Sequence, residues 1–301
     1  INLNKSLKIF LSLFLFSNFL FAQSKGCVMT EMVLTKGNQP INKILIEYDK
    51  FENILSKETI QYFDGLGVSS KVLFEYNSKN KPTKTNYYFR NQLTKTVNKT
   101  FDNAGNLLSE SESKENKISN RTIKVDNKLE QVFLNEDGTV SAKHVSETNV
   151  NTETFTKYDA QNNIISTEKK ILSTSGKTVE KQSEDLLGKV KKTEKYQYNN
   201  KNDLTKKEDF LDGQLESYTV FEYTNDLLTK VTAFTKNNQE DYRLEYKYVG
   251  SNQTEEISYY RNELANKKVK EYDANNNCIK ETSFNRDGQI INVATFKYTC
   301  K

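Results

Sequence analysis

The sequence predicts an all-β chain: a long antiparallel meander of roughly 25-residue, two-strand repeats, curled or spiralling as a single sheet. Three observations carry this. An aromatic-Asp phrase recurs at a near-fixed period, Asp-Gly turns fall between its copies, and the segments between them alternate apolar and polar residues.

The first 22 residues stand apart. Lys5 and Lys8 precede the apolar run Ile9 to Ala22, and polar "QSKG" follows, the layout of a secretory signal peptide with cleavage expected after Ala22. That run is shorter than the ~18 to 20 residues a membrane-crossing helix needs. Cys27 lies five positions past the run, behind charged "SKG". Its lipidation is the alternative reading, and the one route by which the chain is expected at a membrane. Residues 23–43 are assigned to a leader and first strand, and residues 44–301 to the repeat.

Removing residues 1–22 takes away two lysines and no acid, lowering the formal net charge from +4 to +2. A balance so close to neutral excludes a strongly basic nucleic-acid surface. Seventeen Tyr and seventeen Phe exclude a chain that never buries anything, while 35% hydrophobic residues suit one that hides a single narrow stripe.

The phrase is an aromatic residue, Asp or Asn, three variable residues, Asn or Asp, then usually an aliphatic residue. It appears at Tyr48-Asp49, Phe101-Asp102, Tyr158-Asp159, Tyr198-Asn199 and Tyr272-Asp273, with looser copies from Tyr76, Val125, Tyr223, Tyr248 and Tyr298. Positions 198, 223, 248, 272 and 298 are 24 to 26 apart. From 158 to 198 the spacing is 40, which reads as an insertion or a shortened unit. Asp64-Gly65, Asp137-Gly138, Asp212-Gly213 and Asp287-Gly288 supply the second turn, since Gly accepts the positive φ that tight hairpins need.

Between the turns, "RLEYKY" puts Leu244, Tyr246 and Tyr248 on one face and Arg243, Glu245 and Lys247 on the other; "ILIEY" and "FKY" behave alike. Two strands per unit gives on the order of 20 strands. One hairpin cannot offset its own ordering entropy, so stability must come from neighbour pairing, and strand twist curls the sheet.

"TFTKYDAQNNI", "KTFDNAGNLL" and "KEYDANNNCI", alternating with "DGQL" and "DGQI", resemble the YD or RHS repeats of bacterial surface and secreted proteins over most of residues 44–301. Only "FDNAGNL" keeps that family's Gly. The resemblance implies a β-rich shell, an adhesive stalk or a carbohydrate-binding surface, with no enclosed toxin segment here.

Asp273, Asn275 and Asn277 have the spacing of a calcium loop, but Cys278 and Phe284 stand where that loop needs Gly and Glu. In sister units the third position is Phe51, Ala104, Gln161 and Lys201. The fourth is Glu52, Gly105, Asn162, Asn202 and Asn276, mostly residues that tolerate the left-handed region, so the phrase reads as turn chemistry. His144, the one histidine, has no nucleophile phrase beside it and is expected as an exposed strand residue. No acid pair stands out. The expectation is a non-enzymatic chain with no metal and no cofactor.

Tyr87-Tyr88 and Tyr259-Tyr260 must send one ring to each face of a strand. With Arg90 and Arg261 beside them, they are the candidate contacts for a glycan or a protein, set against plain cross-strand pairing. In an exported chain, a hairpin turning at Asp287-Gly288 brings Cys278 near Cys300. A Cys278–Cys300 disulfide locking the sheet's last edge is expected, the rival being a core Cys278 with Cys300 free. The functional expectation is an exported binding or scaffold protein of the envelope or extracellular space, presenting its repeat surface to a glycan or an envelope protein. The alternative is an immunity-type partner neutralising a secreted toxin.

Overall fold

The computed structural model describes residues 27–114 and 117–300, so the expected signal peptide lies outside the described residues. Every described element is a β-strand. The chain runs β1 (Cys27–Lys36), β2 (Gln39–Tyr48), β3 (Ile54–Phe63), β4 (Leu66–Tyr76), β5 (Pro82–Phe89), β6 (Gln92–Phe101), β7 (Leu107–Lys114) and β8 (Lys117–Val125). It continues through β9 (Lys128–Leu134), β10 (Val140–Asn149), β11 (Thr152–Asp159), β12 (Ile164–Leu172), β13 (Thr178–Asp185), β14 (Val190–Tyr198) and β15 (Leu204–Leu211). The last strands are β16 (Gln214–Thr224), β17 (Leu227–Thr235), β18 (Glu240–Val249), β19 (Asn252–Tyr260), β20 (Glu263–Tyr272), β21 (Cys278–Asn285) and β22 (Ile290–Cys300).

Each strand pairs antiparallel with the next, and β1 pairs antiparallel with β22 from Cys27↔Cys300 to Thr35↔Val293. This corrects the expected open or spiral sheet: the fold is a closed 22-stranded barrel. Twist alone curls a sheet, but closure also removes the two unpaired edges that a meander would present. A register shift beside most of the aromatic-Asp phrases, as at Glu47/Tyr48, Glu75/Tyr76, Gln197/Tyr198 and Glu271/Tyr272, adds twist unit after unit.

At ~4.8 Å per strand the wall is about 105 Å around, far beyond the ~8 strands whose side chains fill a barrel. Among the described residues every strand lies beside only its two ring neighbours. Fully buried side chains are correspondingly few; the largest are Asn277 and Cys278. The described strands form a single closed β-wall.

Up-and-down topology sends alternate turns to opposite ends. The Asp-Gly turns all fall at one end, called here the Asp-Gly rim, with the β1–β2, β3–β4 and later odd-even connections. The phrases at Tyr48, Tyr76, Phe101, Tyr198 and Tyr272 fall at the other, the Tyr-Asp rim. Tyr158-Asp159 is the exception and turns at the Asp-Gly rim. Its unit still ends where the period requires, at Asn149 and Leu172, so no insertion exists and the 40-residue gap is corrected to a phrase set in the other half of a unit.

Locally the phrase folds by its own hydrogen bonds. Asp273 Oδ1 accepts from the backbone N–H groups of Asn275 (2.9 Å) and Asn277 (2.8 Å), and Oδ2 accepts from Asn277 Nδ2 (3.0 Å). The fourth position takes positive φ in all five copies: 66° at Glu52, 84° at Gly105, 66° at Asn162, 65° at Asn202 and 61° at Asn276. The phrase Tyr then donates its hydroxyl to a carbonyl at the start of the preceding strand: Tyr48 to Met29 (2.9 Å), Tyr198 to Thr178 (2.8 Å), Tyr272 to Gln253 (2.7 Å) and Tyr298 to Cys278 (2.9 Å). Tyr76, Tyr223 and Tyr248 do the same. These seven rungs cover the contiguous arc from β13 through β22 to β4, where Met32, Ala294 and Phe296 make the tightest packing with Cys278.

Cys27, not Cys278, is bonded to Cys300. The expected Cys278–Cys300 bond assumed that β22 was a free edge; in the closed ring Cys300 faces Cys27 across the seam, and Cys278 is a buried free thiol.

Candidate functional site

Cross-strand partners share a face, so the register sorts side chains into a Tyr face, carrying the hydroxyl rungs, and an opposite face. Neither is uniformly apolar. On the Tyr face Lys99 pairs with Glu110 (2.7 Å), Lys181 with Glu168 (2.9 Å) and Lys268 with Glu256 (3.4 Å). The opposite face carries Lys43 with Glu31 (2.9 Å), Arg243 with Glu245 (2.9 Å) and Lys280 with Glu271 (2.8 Å).

The densest polar group lies on the Tyr face across β13 to β15. Lys207 Nζ sits 2.8 Å from both Glu194 and Asp209, and the Tyr196 hydroxyl donates to Glu194 (2.8 Å). Burial works against both charges, but the contacts outweigh it: Glu194 stays below its ordinary value and Lys207 above. Burial and the Glu194 contact push the Tyr196 phenol up. A shallow depression beside them is lined by Lys181, Ser183, Lys192 and Asp209. Sequence reading missed this group. Its signal was present in "VEKQSED" and "TKKEDF", where both alternating positions are polar and the apolar stripe disappears.

The tyrosine pairs split between faces. Tyr87 shares the Tyr face with Lys95, whose Nζ lies 4.2 Å from its ring centroid, while Tyr88 stands opposite Lys71 on the other face. Tyr259 is covered by the Arg243 guanidinium at 4.2 Å, and Tyr260 lies under Arg261 at 5.1 Å. Arg90 does not reach its tyrosines; it sits 5.4 Å over the ring of Phe89. Arg90 and Arg261 each open a two-residue turn with Asn, at φ 49°. Both turns are at the Asp-Gly rim, but the six strands β21, β22 and β1 to β4 separate the β19–β20 hairpin from β5–β6, so the two groups form no single site. Each offers an aromatic ring capped by a guanidinium, a surface that stacks on a sugar or a planar side chain.

His144 is not the exposed residue expected. It lies between Phe133 (4.6 Å) and Phe155 (5.2 Å), both edge-on, and burial, aided by Lys157, lowers its pKa. Both carboxylate oxygens of Asp273 accept hydrogen bonds within the turn. Among the described residues no three His, Cys, Asp or Glu side chains are grouped as a metal site.

No protein-family model matches the chain. No curated protein matches it in sequence either, so the likeness to YD or RHS repeats remains one of turn chemistry. Among solved structures, a porin-like protein from Bacteroides uniformis ATCC 8492 is similar at 13% identity over 91% of this chain and 96% of that one, with a TM-score of 0.36. A porin-like protein from Bacteroides vulgatus ATCC 8482 matches at 8% identity over 90% and 98% of the two chains, with a TM-score of 0.24. The TcdB2-TccC3-TEV chain matches at 12% identity and a TM-score of 0.29 over 88% of this chain, which spans only 18% of that one. With every score below 0.5, function is argued from the chain's own geometry.

Proposed function

We propose that the chain is an exported, non-enzymatic binding or scaffold protein of the cell envelope or extracellular space, a water-exposed β-ring that presents its surface to a glycan or an envelope protein. The observation that carries this reading is the set of mid-strand ion pairs on both faces. A lipid-facing Lys or Arg costs ~2 to 4 kcal/mol at the bilayer midplane, and either face would bury several. The wall therefore suits water on both sides.

Export is supported by the signal-peptide layout of residues 1–22 and by the Cys27–Cys300 bond, which persists in oxidising compartments. A sulfur so bonded is not available to a lipid, which favours a chain released from the membrane over a Cys27-anchored one. The absence of enzymatic activity is supported by the carboxylates of the densest cluster, which are held by Lys207 and Tyr196 rather than facing each other across a cleft.

The test is to express the full chain, collect the exported protein without detergent, and probe a glycan array and an envelope-protein pull-down. A specific ligand lost in the Tyr260→Ala/Arg261→Ala variant is expected. Ion conductance in planar bilayers, or extraction only in detergent, would refute the water-exposed ring.

A further inference from the structure

A band of aromatic rings lies on the face opposite the hydroxyl rungs. Tyr218 and Phe234 are direct cross-strand partners on β16 and β17, and their rings stack at 4.8 Å with 16° between the planes. Glu240 of β18 is the cross-strand partner of Phe234, and its carboxylate accepts from Arg243 Nη1 (3.0 Å). Arg243 in turn lies 4.2 Å over the ring of its own partner on β19, Tyr259. The contacts run unbroken across four strands, three spacings of ~4.8 Å, or about 14 Å. All three rings are half-buried, so each keeps part of its surface open. The band ends at Tyr259, beside the turn that Arg261 opens.

Around the rings the charges answer one another. Lys206 Nζ sits 5.2 Å over Tyr218 and 2.7 Å from Glu208. Arg243 Nε is 2.9 Å from one carboxylate oxygen of Glu245, and the other accepts from the Tyr259 hydroxyl at 3.4 Å. Among these groups two cations meet three carboxylates, Glu208, Glu240 and Glu245, so the balance gives an anionic ligand nothing to seek. Carboxylate lone pairs and N–H groups in this arrangement exchange hydrogen bonds with hydroxyls.

We infer that this band is the seat of the glycan, and that the glycan is a neutral, linear polysaccharide lying across β16 to β19. The inference rests on the glycan half of the proposed function and narrows it. Rings fixed by stacking and by a clamped guanidinium are ordered before the ligand arrives, which lowers the cost of binding. A sugar's C–H face covers a ring while its hydroxyls reach the flanking carboxylates. The band is longer than one sugar ring, so a chain engages more of it than a single sugar does.

The experiment runs the exported wild-type protein through native gels containing soluble amylose, xylan, mannan, pectin or alginate. A neutral polysaccharide should retard it, and the acidic pectin and alginate should not. Calorimetry should then show the hexasaccharide of the retarding polymer binding at least about 10-fold more tightly than its disaccharide. Tyr218→Ala and Tyr259→Ala should each weaken the hexasaccharide about 10-fold. Tyr218→Phe keeps the ring and should keep the binding, as should Tyr158→Ala, on the same face at distant β11. Circular dichroism checks that each variant keeps its strands. A glycan that survives both alanine variants but is lost in Tyr260→Ala/Arg261→Ala overturns the band and leaves the glycan reading standing. Retardation by pectin or alginate alone also overturns it. Retardation by none of the five does the same, and if the glycan array is blank as well, the glycan reading falls with it.

Discussion

Serine at both Cys27 and Cys300 tests the seam most directly. The bond closes a loop of 273 residues, and the chain-entropy account of cross-linking gives about 5.6 kcal/mol at 25 °C for a loop of that length. The β1–β22 backbone ladder survives the substitution, as does the Glu31 carboxylate held between Lys297 (2.5 Å) and Lys43 (2.9 Å), so the barrel still closes. With a urea m-value of ~3 kcal/mol/M for a chain of this size, the midpoint should fall by about 1.5 to 2 M. Urea titrations followed by circular dichroism on the oxidised wild type and the double variant measure it. A loss under ~1 kcal/mol would refute the reasoning. So would a Cys278–Cys300 peptide in a non-reducing digest. Thiol counting supplies the control: burial raises the Cys278 pKa to about 11, so no thiol should alkylate in native protein at pH 8, and one should in urea.

Removing a single hydroxyl rung, Tyr272→Phe, should cost ~1 kcal/mol in urea unfolding by leaving the Gln253 carbonyl without its donor. Burial raises the Tyr272 phenol to about 12, so absorbance titration at 295 nm should show that this variant lacks one late-ionising tyrosine and keeps the early ones. At Asn276, φ 61°, substitution by Ala should destabilise by ~1 kcal/mol while Gly is tolerated; equal effects would remove the left-handed turn from the account. Hydrogen bonds from Asn106, Asn163 and Asn277, foremost among the causes, hold Asp102, Asp159 and Asp273 below the ordinary 3.8. Their folded-state pKa is the lower one, so their contribution is complete above about pH 4 and is lost as pH falls through the depressed values. Melting temperature should therefore drop more steeply below pH 4 in wild type than in the triple Asp→Asn variant, and parallel acid limbs would exclude the effect.

What was legible in the sequence was local. Strand alternation, the two turn chemistries and the left-handed Asn276 depend on residues within a few positions of one another, and each is found where expected. Closure was not legible, because it is a contact between β1 and β22, some 270 residues apart, and no residue near either end announces its partner. The cysteine assignment failed for the same reason: Cys300 was matched to the nearest sulfur along a hairpin, while the ring brought in Cys27 from the other end of the chain. Tyr158 misled in the opposite sense. Its phrase folds as a turn like its sisters, but a local signal does not say at which rim it lies, and there its ring is on the opposite face under Lys143. The tyrosine pairs were legible as face-splitting doublets, whereas the cations over Tyr87, Tyr259 and Tyr260, from Lys95, Arg243 and Arg261, had to be seen.

Because every unit leaves from and returns to the Tyr-Asp rim, the repeat carries a parity rule. Each whole unit contributes two strands, so a ring of ten or twelve units would again bring its first and last strands together antiparallel, with the closing ladder intact. Half a unit would set those strands parallel and carry Cys300 to the rim opposite Cys27. A change of circumference that keeps the antiparallel seam and its disulfide therefore comes in whole units of about 25 residues, two strands at a time.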